Sequence, residues 1–141
     1  MKILLPVIAV LFSCNAFANP LKWANGEWGI AEDYEPENSA DKIECETAPL
    51  RVSVDISGKI FSSSHGTSGP RKAKIIKSNS GSLTILYDNE KRLMDSGKPH
   101  VWNMVFLTKD SFVWVRQDWI VDGVQRGSTK VRYRCESPDI S

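Results

Sequence analysis

The chain has 141 residues, and its 18 lysines and arginines against 17 aspartates and glutamates give a formal net charge of +1. This balance argues against a nucleic-acid partner, because phosphate recognition normally requires a clear excess of basic residues on one face. The densest basic run, residues 71–77, is interrupted by Ala73, Ile75 and Ile76, which is typical of the solvated face of a strand. The length suits one domain with its own hydrophobic core.

Residues 1–18 have the three parts of a secretory signal peptide. Lys2 provides a positive start, residues 3–12 are apolar, and Ala16-Phe17-Ala18 is a small-residue cleavage site. The apolar run is shorter than the roughly 20 residues of a membrane-spanning helix. We therefore expect a mature domain, residues 19–141, with no transmembrane segment, located in the periplasm or secreted.

A second processing route stays open at Cys14. The stretch Leu11-Phe12-Ser13-Cys14 resembles the lipobox at which bacterial lipoproteins are cut and acylated. By that route a lipid on Cys14 would anchor the protein to a membrane surface, and the leader would be removed before this residue.

Two further cysteines, Cys45 and Cys135, remain in the mature chain. In an oxidising compartment such a pair most simply forms one disulfide. Closing a loop of about 90 residues restricts the unfolded chain by about 4 to 5 kcal/mol in the loop-entropy model. The sequence therefore predicts a structural disulfide between these residues.

Alternation of apolar and polar residues dominates the first half of the mature chain. After a strand around Trp28, the acidic segment 31–47 is expected to form a loop over one end of the domain. The next strand would bury one face and expose Arg51, Ser53 and Asp55. The buried face of that strand is predicted to hold Leu50, Val52, Val54 and Ile56.

Later strands follow short turns. A turn at Gly58-Lys59 leads to a strand beginning at Ile60, and further strands are expected at 73–75 and 83–87. Residues 90–94 suit a single helical turn.

The end of the chain is predicted to contain the clearest hairpin, residues 101–119, with its turn at Lys109-Asp110. A closing strand, residues 130–136, would place Tyr133 on one face and Arg132 and Arg134 on the other. These elements predict an all-β fold, an antiparallel up-and-down barrel of about eight strands closed by one disulfide, with a β-sandwich as the alternative.

Gly26-Glu27-Trp28, before a meander of strands and an arginine-bearing last strand, resembles the calycin group of lipocalin-like barrels. The resemblance implies that Trp28 packs at the base of the barrel. It also implies that Arg134 or Arg132 lies across the indole face, a cation–π contact worth about 1 kcal/mol. Exported barrels with one disulfide that inhibit metalloproteases share this outline, although their cysteine spacing is shorter.

The two faces of the 101–119 hairpin provide the candidate binding residues. A turn at Lys109-Asp110 puts Trp102, Met104, Phe106, Val113 and Val115 on one face, which we assign to the interior because the opposite face also carries polar Asn103, Arg116 and Asp118. The candidate ligand-binding residues are Trp28, Trp102, Met104, Phe106 and Tyr133. The outward face would supply a partner patch of Val105, Leu107, Phe112 and Trp114.

Catalytic and metal-binding patterns are weak. His65 follows three serines, yet neighbouring residues on a strand face opposite ways and no nucleophile-elbow motif is present. His65 and His100 lack zinc-ligand spacing, and the acids of residues 32–46 lack the order of a calcium loop. The sequence therefore predicts no catalytic residue, no metal site and no cofactor.

The leading functional prediction is an exported, non-enzymatic barrel that binds a small apolar or amphipathic ligand. The alternative is a periplasmic or secreted proteinaceous enzyme inhibitor or protein-interaction module. A hollow interior would favour the first and a filled interior the second.

Overall fold

The structure, a computed structural model, describes residues 20–30 and 45–135. The predicted signal peptide, the lipobox and most of the acidic loop lie outside these residues. The described elements are a short helix α1 (Pro20–Ala24) and strands β1 (Gly26–Ile30), β2 (Leu50–Val54), β3 (Ile60–His65), β4 (Arg71–Asn79), β5 (Ser82–Tyr87), β6 (Trp102–Thr108), β7 (Ser111–Arg116), β8 (Ile120–Val121), β9 (Val124–Gln125) and β10 (Arg132–Arg134), with a 3-10 helix at Gln117–Trp119 between β7 and β8.

Eight of these strands close into an antiparallel barrel in the order β1-β10-β7-β6-β5-β4-β3-β2. From β1 to β7 each strand pairs with the next along the chain, and β10 then joins β7 to β1. The small hairpin of β8 and β9 is a separate excursion. The predicted up-and-down barrel is confirmed, and closure leaves the barrel no unpaired sheet edge.

The alternation read from the sequence explains β2. Leu50 and Val52 are buried at 7% and 5% exposure, Val54 is half-buried, and the intervening polar residues are exposed. The prediction for Ile56 was wrong, because the strand ends at Val54 and Ile56 is fully exposed in the turn. The Asp55 carboxylate organises that turn by accepting hydrogen bonds from the backbone N–H groups of Lys59 and Ile60.

The hairpin of β6 and β7 turns at Lys109-Asp110, as predicted, but its register differs from the prediction. Phe106 pairs with Phe112 and Thr108 with Ser111, so Leu107 is an extra residue that forms a β-bulge. A shift of one residue exchanges the two faces of a strand. The bulge therefore turns Phe112 and Trp114 into the barrel.

The predicted assignment of β7 side chains was wrong for this reason. Met104 pairs with Trp114 inside the barrel, whereas Val105 pairs with Val113 and Asn103 with Val115 on the outer face. Both outer valines of β7 are nevertheless buried. The backbone N–H of Thr129 donates to the Trp114 carbonyl at 2.9 Å, which brings the segment after β9 alongside this strand.

In β10 the alternation places Arg132 and Arg134 inside and Tyr133 outside. Arg134 pairs with Trp28 and Arg132 with Phe112, both interior residues, while Tyr133 pairs with Gly29 and Ser111. The two faces of this strand follow the predicted alternation.

Aromatic side chains fill one end of the barrel. Trp28 is fully buried and contacts Phe112 edge to face at 4.9 Å between ring centroids. Phe106 lies between Trp28 and Trp23 of α1, at 6.2 and 5.9 Å. The Trp28 indole donates to the Ala24 carbonyl at 3.0 Å, so α1 covers this end.

Arg134 completes that closure. Its guanidinium carbon lies 4.3 Å from the centre of the Trp28 ring. Its N–H groups donate to the carbonyls of Trp23, Asn25 and Lys109 and to the Asp110 carboxylate, at 2.7 to 3.0 Å. This cation–π contact is the one the calycin resemblance implied, and Arg134 rather than Arg132 makes it.

The disulfide between Cys45 and Cys135 is present, with a Cα–Cα distance of 5.6 Å and a sequence separation of 90. It ties the segment before β2 to the end of β10. The expected helical turn at residues 90–94 is absent, since this stretch is an irregular loop with one bridge between Leu93 and Pro99. The short helix α1 was not predicted.

Candidate functional site

A cavity of about 460 Å³ lies in the barrel at the end opposite α1. Its volume falls within the roughly 300 to 1,000 Å³ typical of small-molecule sites. The barrel is therefore filled at the α1 end and opens into this cavity at the other end, which we call the hollow end. The lining residues come from seven strands and the loops between them: Leu50, Ser63, Ser64, His65, Ser68, Gly69, Arg71, Tyr87, Arg92, Trp102, Trp114, Thr129 and Arg132.

Two indoles form the apolar wall of this cavity. Trp102 and Trp114 meet edge to face, with ring centroids 6.4 Å apart. They come together because the bulge at Leu107 turns Trp114 into the barrel on the strand next to Trp102. Leu50 adds an aliphatic surface from β2. Such a wall suits the apolar part of a ligand.

Tyr87 and Ser63 place hydroxyl groups in the same cavity. The Tyr87 and Ser63 hydroxyl oxygens are 3.0 Å apart, so one donates to the other across β3 and β5. Burial raises the pKa of Tyr87 above its ordinary value of 10.0. Near neutral pH the phenol therefore keeps its proton and offers both a donor and an acceptor.

Three arginines, Arg71, Arg92 and Arg132, also line the cavity. Arg71 stacks on the Tyr87 ring, with its guanidinium carbon 4.2 Å from the ring centre. Glu90 lies beside two of the arginines: Arg92 donates to both its oxygens at 2.7 Å, and Arg71 approaches one of them at 3.7 Å. The Glu90 side chain is 3% exposed.

The charges around Glu90 keep it ionised. Hydrogen bonds from Arg92 lower the pKa of Glu90 to about 2, and the positive charges of Arg92 and Arg71 act in the same direction against partial burial. At neutral pH this carboxylate is therefore negatively charged beside Arg92 and Arg71.

A second polar cluster lies beside Trp102, around the 3-10 helix. Arg116 pairs with Asp118, which lowers the pKa of Asp118, and its guanidinium lies 5.1 Å from the Trp119 ring centre. His100 is 8% exposed, and its Nε2 lies 3.4 Å from an Arg116 nitrogen. Trp119 meets Trp102 edge to face at 5.6 Å. These contacts brace Trp102 from outside the cavity.

Comparison with protein-family models, curated proteins and solved structures finds no match to this chain.

The predicted ligand-binding residues do not form one site. Trp102 lines the cavity, whereas Trp28 and Phe106 belong to the filled α1 end and Met104 is fully buried. Tyr133 faces outward from β10, so its predicted place in the interior was wrong. The sequence indicates only which face of its strand a residue occupies, and the five residues were chosen on that basis. The face of a strand does not show at which end of the barrel a residue lies.

The predicted partner patch is also not one surface. Phe112 and Trp114 are 0% and 9% exposed inside the barrel, so their predicted outward position was wrong. Val105 is half-buried and Leu107 is 55% exposed at the bulge. Trp114 instead lines the cavity.

Sequence reasoning assigned neither Arg71 nor Arg92 to a site, and it named Arg132 only as a possible partner of Trp28. Arg71 was interpreted as part of a solvated strand face. It is the first residue of β4, and it pairs with Ser63, whose side chain faces the interior. Period-two alternation from the buried Ala73 would have pointed Arg71 inward. No sequence pattern places Arg92, because it lies in an irregular loop.

The serines before His65 show no catalytic arrangement within the described residues. Ser63 faces inward and bonds to Tyr87, while Ser64 pairs with Arg51 on the outer side. No cluster of three potential metal ligands occurs among the residues that the structure describes. Within those same ranges, no helix has the length and apolar character needed to cross a membrane.

Proposed function

We propose that this chain is an exported, calycin-like barrel that binds a small amphipathic ligand in the cavity at its open end. The observation that carries the proposal is the cavity of about 460 Å³, with two indoles on one side and hydroxyl and guanidinium groups on the other. A barrel whose only role was to present an outer surface would not require a cavity of this size at one end.

The unequal packing of the two ends supports this proposal. The α1 end is filled by aromatic rings and sealed by Arg134, which provides a stable base. The opposite end keeps large side chains such as Trp102 and Trp114 at the wall of a cavity. In a binding barrel, one end is expected to provide a rigid scaffold and the other to contact the ligand.

Export is part of the proposal and has its own test. The disulfide of Cys45 and Cys135 supports an oxidising compartment. After expression in a bacterial host, intact mass should show a chain beginning at Asn19 with no free thiol. A diacylated species beginning at Cys14 would instead support the lipoprotein route.

Ligand binding can be tested with a neutral apolar probe, N-phenyl-1-naphthylamine, whose fluorescence rises in an apolar site. We expect saturable binding that Trp102→Ala weakens by about tenfold, since one well-packed aromatic contact is worth about 1.4 kcal/mol or more. Trp23→Ala is the matched control, because it removes the same side chain at the filled end, beside Phe106.

Two outcomes would contradict the proposal. One is an absence of saturable probe binding to the folded protein. The other is an equal loss of binding in both variants, which would mean that the probe reports general loosening of the barrel. Circular dichroism of each variant shows whether the fold is retained.

A further inference from the structure

The charge of the cavity lining is uneven. Among the described residues, the lining contains three arginines and no aspartate or glutamate. Glu90 lies behind this lining, with its side chain 3% exposed and both oxygens engaged by Arg92. Within the described ranges Glu90 faces both Arg92 and Arg71, and one carboxylate can balance only one of these two charges.

Arg71 has hydrogen-bonding capacity to spare. In the described part of the chain, its one ion pair joins Arg71 to Glu90 at 3.7 Å, which is longer than a hydrogen bond. Its side chain is 53% exposed, yet stacking on Tyr87 holds the guanidinium plane in place. Its five N–H donors are thus positioned at the cavity.

Arg134 provides a comparison in the same barrel, because the protein supplies hydrogen-bond acceptors to its guanidinium. It also stacks on an aromatic ring, at 4.3 Å, but its N–H groups are satisfied by three carbonyls and a carboxylate. Arg134 closes the filled end. At the hollow end Arg71 has an equivalent stack, but the described residues give its guanidinium none of those close acceptors. A ligand could bring the acceptor oxygens that the described residues do not supply to Arg71.

We propose that the ligand is an amphipathic anion: an apolar body against Trp102 and Trp114, ending in a carboxylate or phosphate monoester held by Arg71. This inference rests on the function proposed above and adds the charge of the ligand. Arg132 and Arg92 also line this cavity, and the Tyr87 phenol lies beside Arg71 in the same lining. Arginine forks match the geometry of carboxylate and phosphate oxygens.

The test is calorimetric titration of the exported protein with probes that share one alkyl chain and differ in the head group. Octanoate and octyl phosphate should bind at least about tenfold more tightly than octanol, since one charge-assisted hydrogen bond is worth about 1.5 kcal/mol. Octyltrimethylammonium should bind more weakly than octanol. Inorganic phosphate alone should show no saturable binding, because it lacks the apolar body.

Arg71→Gln should lower the affinity for octanoate and octyl phosphate by about tenfold, and so remove most of their preference over octanol. Lys72→Gln is the matched control, because Lys72 is the next residue of β4, exposed on the outer face and paired with Ser62. It removes the same charge without touching the cavity. The preference for octanoate should also fall as salt is raised, as expected for a partly exposed ion pair.

The outcomes separate the two proposals. Equal affinity for octanoate and octanol, or an equal effect of both glutamine variants, would overturn the anionic head group and leave the ligand-binding function standing. Failure of every alkyl probe, including octanol, would overturn the binding function itself. Inorganic phosphate binding as tightly as octyl phosphate would overturn the amphipathic ligand in favour of a simple anion site.

Discussion

Removing Arg134 should weaken the closed end of the barrel more than any other single charge change. Arg134→Met keeps much of the aliphatic stem but removes four hydrogen bonds, which join β10 to α1 and to the turn at Lys109-Asp110. It also removes the cation–π contact to Trp28, worth about 1 kcal/mol.

The magnitude follows from these contacts. Four hydrogen bonds at about 1 kcal/mol net each, plus the cation–π contact, give an upper figure of about 5 kcal/mol. The Arg134 side chain is 30% exposed, so water can replace part of what is lost. We expect a loss of about 3 to 4 kcal/mol in the free energy of unfolding.

Urea denaturation followed by tryptophan fluorescence measures this loss. With a slope of about 1 to 3 kcal/mol per molar urea, the midpoint should fall by roughly 2 M. Arg51→Met is the control, since it breaks one exposed ion pair with Glu27 and should cost under about 1 kcal/mol. If both variants lose the same small amount, the idea that Arg134 locks this end is refuted.

Three further changes test the packing, the disulfide and the buried charge. Trp114→Ala should lower the free energy of unfolding by about 3 to 5 kcal/mol, because it opens a void in the core. Leu107→Ala at the exposed bulge should lower it by under about 1 kcal/mol. Equal losses in urea denaturation would contradict the inward orientation of Trp114. Cys45→Ser should lower stability by about 2 to 5 kcal/mol, and unchanged melting would show that the bridge to Cys135 contributes nothing. Glu90 has its folded-state pKa lowered from 4.5 to about 2, so its stabilising contribution is complete above about pH 4.5 and is lost as pH falls towards 2. Glu90→Gln should flatten stability against pH in that window, and an unaltered acid profile would contradict the pairing with Arg92.

Much of the barrel could be predicted because its determinants are local. Alternation in β2 follows from the opposite directions of successive side chains, and it identified Leu50 and Val52 as buried residues. The turn at Lys109-Asp110 and the two-faced pattern of β10 are signals of the same short range. The disulfide followed from counting the cysteines that remain after the predicted signal peptide.

The errors arose where a single residue changed the register. Nothing in the stretch from Val105 to Phe112 marks Leu107 as a bulge, because both registers pair apolar residues with apolar residues. The choice depends on which set fills the barrel, and that is a property of all eight strands together. One extra residue therefore moved Trp114 from a predicted outer patch to the wall of the cavity.

The strand pattern and the closure by Cys45 and Cys135 could be predicted from short-range periodicity and residue type, and the contact of Trp28 with a late arginine was implied by the calycin resemblance. Only the tertiary structure decided that one end of the barrel is filled and the other hollow. It also decided that Arg71 faces the hollow end, beside Tyr87 and away from solvent-facing Lys72. The physical reason is that a cavity is the space left by side chains from many strands, and no single segment of the chain records that space.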